Sequence, residues 1–268
     1  MRAFIAVAFL ALATAVGASA QERPPIRAFD LPTIEALGAA IYRQDSAAWV
    51  ATDTLMSKVR DPRGQGLIGW IVVDAAPNQK VRFLRAREGR LEAGYDIVVT
   101  PELKTTLVEP VDRALSTEEV AMFTARQTAT AGLAGAPLCR PNYNVAVLKD
   151  PERAGWLVWL LAPLPAANQW AIGGHYRFSV SADGRTVPQR DALSASCMIM
   201  NSGAINIPKG SRPGAYVVTH LVSPTPVETH VFVNLQSRMP IGVGAGDHMW
   251  MIEQGRITDF GIIGATKK

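Results

Sequence analysis

Apolar residues in the first part of the chain recur at helical spacing. Ile34, Leu37 and Ile41 lie three and four residues apart, the repeat of one helix face. Leu31-Pro32 predicts the start, because a proline in the first turn gives up an N–H that has no intrahelical partner. Asp45-Ser46 reads as the cap of a second helix carrying Ala47, Val50, Leu55, Met56 and Val59, which Arg60-Asp61-Pro62-Arg63-Gly64 ends. The period then changes to two. Residues 67–73, 80–86 and 90–99 predict a β-meander with turns at 74–78 and at Glu88-Gly89. Ser116-Thr117-Glu118-Glu119 is a capping box, so a helix is expected over 117–131, stopped by Gly132 and Gly135.

After Cys139 the pattern is almost all strand: 144–148, 156–161, 175–181, 185–188, 193–200, 241–243, 249–253 and 256–260, with Asp183-Gly184 as a hairpin turn. Residues 156–164, WLVWLLAPL, are apolar throughout, the signature of a strand buried on both faces. The stretch 215–235, AYVVTHLVSPTPVETHVFVNL, predicts a hairpin turning at Pro224 and Pro226. In its second run Val227, Thr229, Val231, Val233 and Leu235 alternate with Glu228, His230, Phe232 and Asn234. A loop of 223–227 sets His220 opposite His230 on one face; a loop one residue shorter puts them on opposite faces. Both registers stay open. The expected fold class is α+β: helices and a small β-meander in 21–135, then a predominantly antiparallel β-sheet in 136–268, packed as one unit.

Residues 1–20 stand apart. Arg2 precedes an apolar run over 3–16, and Ala18-Ser19-Ala20 has the small-x-small form of a signal-peptidase site, with Gln21 as the new N-terminus. The run is short for a membrane span, and no later run is long enough, so a periplasmic or secreted address follows. The whole chain of 268 residues, 48% hydrophobic and 19% charged, suits a globular protein with a large core. The formal charge of +4 permits anionic partners. The middle strand of the meander is basic, with Lys80, Arg82, Arg85, Arg87 and then Arg90. It reads either as a patch for an acidic envelope polymer or phospholipid, or as a solvated face or protected edge. No nucleic-acid module is present.

Cys139 and Cys197 make an even count. In an oxidising compartment they suggest a disulfide; two buried thiols and a catalytic cysteine are the other readings. HExxH, CxxC, GxSxG, SxxK and P-loop motifs are all missing. Gly242-Val243-Gly244-Ala245-Gly246 reads as a hairpin loop, since a phosphate cradle needs a helix start behind it. What remains is His175, His220, His230 and Glu228, three nitrogens and a carboxylate that would suit zinc or a similar divalent metal. A Cys–His pair, Cys197 with His175 or His220, would need a reduced thiol.

GGHYRFSVSADGRTV, the following SASCM, HLVSPTPVETHVF and WMIEQGRI, with WVATDTL and GWIV nearer the N-terminus, resemble segments of secreted proteobacterial proteins with no assigned activity. The resemblance implies one continuous unit with a bacterial envelope address and transfers no catalytic residue. Two classes of function stand: a non-enzymatic structural, interaction or ligand-binding module, and a metal-dependent or Cys–His hydrolase.

Overall fold

A computed structural model describes residues 24–110, 112–164, 166–201 and 214–264. Residues 1–20, read above as a signal, lie outside the described residues. The chain is α+β. Asp30 caps the first helix, α1 (Leu31–Lys58), by accepting the N–H of Thr33 at 2.8 Å. The helix does not break at Asp45, so the second helix expected there is the rear half of α1. Tertiary contacts overrule the local cap signal: Gln44 exchanges two hydrogen bonds with the backbone of Val147, at 2.8 and 2.9 Å. Ala47, Ala51 and Leu55 are buried against the meander.

That meander is β1 (Leu67–Ala75), β2 (Asn78–Arg87), β3 (Arg90–Val99) and β4 (Thr105–Val108), each antiparallel to the next. The second helix, α2 (Thr117–Ala131), begins with the expected box: Ser116 Oγ accepts the Glu119 N–H and Glu119 accepts the Ser116 N–H.

β5 (Asn144–Lys149), β6 (Trp156–Leu161), β8 (Tyr176–Val180) and β9 (Gln189–Ala192) form an antiparallel sheet in that order. Every residue of β6 is buried, as its apolar run required. Val158 and Leu160 face α2 through Ala125 and Ala129. Leu157, Trp159 and Leu161 face the main core, which holds Ile34, Leu37 and Ile41 of α1. β7 (Gln169–Ala171) pairs with β10 (Ile199–Asn201) in a separate two-stranded ladder. The strands expected over 185–188 and 193–200 are therefore displaced to β9 and β10.

The largest correction falls on 215–235. β11 (Tyr216–His220) is a strand, but its expected partner is a helix, α3 (Glu228–Ser237). The hairpin does not exist. α3 crosses over to β12 (Ile241–Ala245), which pairs in parallel with β11, and β13 (His248–Glu253) and β14 (Arg256–Ile262) complete an otherwise antiparallel sheet. The physical reason is burial. All seven residues from Glu228 to Asn234 are buried. A helix covered on every side shows no polar stripe, and its β-branched residues imitate strand alternation. α1 presents Gly38 to it; a Cβ there would lie 2.5 Å from Val231 Cβ. At the far end Asn234 donates to the carbonyls of Met239 and Ile252 and accepts the N–H of Gly255, fixing α3 to the β13–β14 turn. No helix among the described residues is long and apolar enough to cross a membrane.

Candidate functional site

The β11–α3 connection brings His220 and His230 together by a route other than strand register. Their rings meet edge to face with centroids 4.8 Å apart. His230 stands at the third position of α3. Its Nδ1 accepts the backbone N–H of Val227 at 3.1 Å, the service that Glu or Gln gives in a capping box. The N-cap Val227 has no polar side chain, so the histidine supplies the only side-chain half of the cap. Proton count then places the His230 hydrogen on Nε2.

His220, at the end of β11, lies 2.7 Å from Ser223 Oγ through Nε2, and the Ser223 hydroxyl donates to the carbonyl of Thr225 at 2.7 Å. With that proton committed, the imidazole donates to the serine. The contact has the spacing of a nucleophile and its base, but the proton runs the wrong way, and burial lowers the His220 pKa to about 4, making it a weak base.

His175 begins the approach to β8. Its Nδ1 accepts the N–H of Ala162 at 3.0 Å, so Nε2 carries the hydrogen and donates to Ala171 O at 2.8 Å. Burial lowers its pKa to about 4. Burial holds His230 well below its usual range too, and His220 and His175 depress it further. The three imidazoles are thus neutral near pH 7.

Glu228 leaves the histidines altogether. Its carboxylate accepts from Arg177 NH1 at 2.9 and 3.1 Å and from Trp159 Nε1 at 2.7 Å. Arg177, 1% exposed, also bonds Asp191 at 2.8 Å and the carbonyl of Arg27. Both guanidiniums lie over the ring of Phe29, that of Arg27 at 4.6 Å and that of Arg177 at 4.8 Å. A buried cation held by two carboxylates and a carbonyl is satisfied, and costly to break. Hence the four residues expected to share a metal do not form one ligand set. Both nitrogens of His175 and both oxygens of Glu228 are committed, and no group of three or more His, Cys, Asp or Glu among the described residues is arranged to hold an ion.

Cys139 and Cys197 are disulfide-bonded, with Cα atoms 5.5 Å apart, so no thiol exists for a Cys–His pair. The bridge packs on Gly174, whose φ is +87° and where any Cβ would collide with Cys139 Sγ. It forms part of the wall of a cleft of about 800 Å³. Pro25, Ile26, Tyr176, Leu221 and Val222 give this cleft apolar surface. Its charged lining residues are Asp191, spent on Arg177 and on Gln189, and Arg190, which is exposed and, among the described residues, donates only to the carbonyl of Gly132. Arg190 and Arg177 had no sequence signal. Only the β8–β9 pairing, which sets Arg177 opposite Asp191 and Phe178 opposite Arg190, puts them in place.

The fourth histidine, His248, is outside this cluster; it stacks on Trp250 and pairs with Asp259 at 2.9 Å, which raises its pKa. Comparison of the chain with protein-family models, curated proteins and solved structures gives no match.

Proposed function

We propose that this is an exported envelope protein, periplasmic or secreted, whose C-terminal half is a non-enzymatic module binding a small amphipathic anion. The observation that carries the reading is the cleft beside the disulfide. Among the described residues it has one uncompensated charge, Arg190, over a largely apolar lining, and its volume lies within the roughly 300–1,000 Å³ of small-molecule pockets. The disulfide suits an oxidising compartment, and the order of residues 1–20 suits export. An acidic envelope component fits the same reading as a further partner. Hydrolysis is the weaker reading. Cys197 has no thiol, the Ser223 proton points at a carbonyl, and two of the four expected metal ligands, His175 and Glu228, are engaged elsewhere.

The test is a fluorescence titration with 1-anilinonaphthalene-8-sulfonate, an apolar body with one sulfonate. Wild-type protein should bind it saturably at native near-ultraviolet circular dichroism. Arg190→Glu should weaken binding tenfold or more, since a charge-assisted hydrogen bond contributes about 1.5–3 kcal/mol. Ala195→Trp, at an exposed position in the cleft wall, should block it. Equal binding by all three proteins would remove the proposal.

A further inference from the structure

The basic strand of the meander separates into two groups. Lys80, Arg82 and Arg85 turn to carboxylates: Lys80 to Asp96 at 4.0 Å, Arg82 to Asp96 and Glu119 at 3.0 and 2.8 Å, and Arg85 to Glu92 at 2.6 Å. They are ion-paired and carry no surface patch. Arg87 and Arg90 close the β2–β3 turn opposite each other, are exposed and have no ion pair or side-chain hydrogen bond among the described residues.

Three more free cations lie at that end. α1 stops at Lys58, and the loop 59–66 carries Arg60 and Arg63 to β1, whose first residue, Leu67, pairs with Arg85. The loop therefore ends beside the β2–β3 turn; Gly66 lies next to the carbonyl of Ala86. Lys58, Arg60 and Arg63 are exposed and equally unpaired among the described residues. The nearby acids are Asp53, Asp61 and Glu88, and the Asp61 carboxylate is held by the N–H of Gly64. Five free cations thus outnumber three acids.

Apolar side chains share the surface. Met56, 59% exposed, lines a concavity of about 730 Å³ together with Lys58, Arg60 and Arg63. Trp49, 66% exposed, lies seven residues earlier, two turns back on the same helix face. Ile68, half exposed, leaves the loop at the start of β1. Free cations beside exposed Trp, Met and Ile are the composition that enters the headgroup boundary of an anionic bilayer. An acidic polymer would use the charges and leave the aliphatic Met56 and Ile68 without a role.

We infer that this end of the meander docks on an anionic phospholipid surface. It is independent of the cleft, which lies on other elements. The chain without residues 1–20, which would enter vesicles by themselves, should co-sediment with phosphatidylcholine–phosphatidylglycerol vesicles and not with phosphatidylcholine alone. Binding should weaken as salt rises. Arg60→Glu with Arg63→Glu should lower it tenfold or more while circular dichroism stays native, and Met56→Ser should lower it several-fold. Failure to bind the anionic vesicles, or equal binding to both kinds, overturns the inference. So does binding to dextran sulfate as tight as to vesicles and indifferent to Met56→Ser, which would assign the surface to an acidic polymer.

Discussion

His230 accepts the backbone N–H of Val227 and sets its ring edge to face against His220, so one side chain caps α3 and supports the end of β11. Replacing it removes a cap acceptor and leaves a cavity in the core. His230→Ala should destabilise the fold by about 2–4 kcal/mol, from a cap loss of about 1 and a cavity cost on top. Urea unfolding measures it. A change under half a kcal/mol would mean that the imidazole carries neither role.

Acid should weaken the protein in a window set by the histidines. Unfolded imidazoles titrate near 6.5, whereas burial lowers His175 and His220 to about 4 in the fold and holds His230 well below its usual range. Between those values the unfolded chain binds more protons, so stability falls as pH drops from about 6.5 towards 4. For the fully buried His175 alone the loss is about 3 kcal/mol. Two groups oppose this. Asp45, which burial pushes up to about 6 against a hydrogen bond from Asn144, binds a proton more readily in the fold and favours it in acid. His248, raised by Asp259, contributes stability below about pH 6.5 that is lost as pH rises through its folded pKa. Three depressed imidazoles outweigh them. Urea midpoints at pH 7 and 5 should differ in favour of pH 7, and Asp45→Asn should widen the gap.

The Arg177–Glu228 pair is buried on both sides. Glu228→Ala takes one of two carboxylates from Arg177 and leaves Trp159 Nε1 without its acceptor, and should cost about 3–5 kcal/mol. Glu228→Gln keeps an acceptor for Trp159 and should cost less. Thermal or chemical denaturation of the two variants gives the order, and equal losses would contradict it.

Native protein should show no titratable thiol. Opening the 58-residue Cys139–Cys197 link should lower stability by about 4 kcal/mol on the chain-entropy account. Gly174→Ala should also destabilise, because the new Cβ meets Cys139 Sγ at a left-handed φ. Thiol titration in native and denatured protein, with melting in reductant, checks both.

The sequence showed features whose causes are local. The box at Ser116 and Glu119 started α2 where expected, the apolar run 156–161 became the doubly buried β6, and the two cysteines met. It misled where tertiary contact decides. Asp45 looked like a cap until Gln44 tied the helix to Val147. Glu228–Asn234 looked like a strand because a fully buried helix has no polar face. The error carried into the site: with α3 a helix, Glu228 turns to Arg177 rather than to the histidines. The first-turn Glu228 and the Pro226 before it were the helix-start signals available.

The cleft beside the disulfide is the proposed binding site. Amide chemical shifts followed during titration with 1-anilinonaphthalene-8-sulfonate test it most directly. Saturable shifts should appear at Gly174, Gln189, Arg190, Ser194 and Ser196, which line the cleft, while Lys58, Arg60 and Arg63 stay still. Shifts absent from the cleft residues, or spread evenly over the chain, would contradict the account.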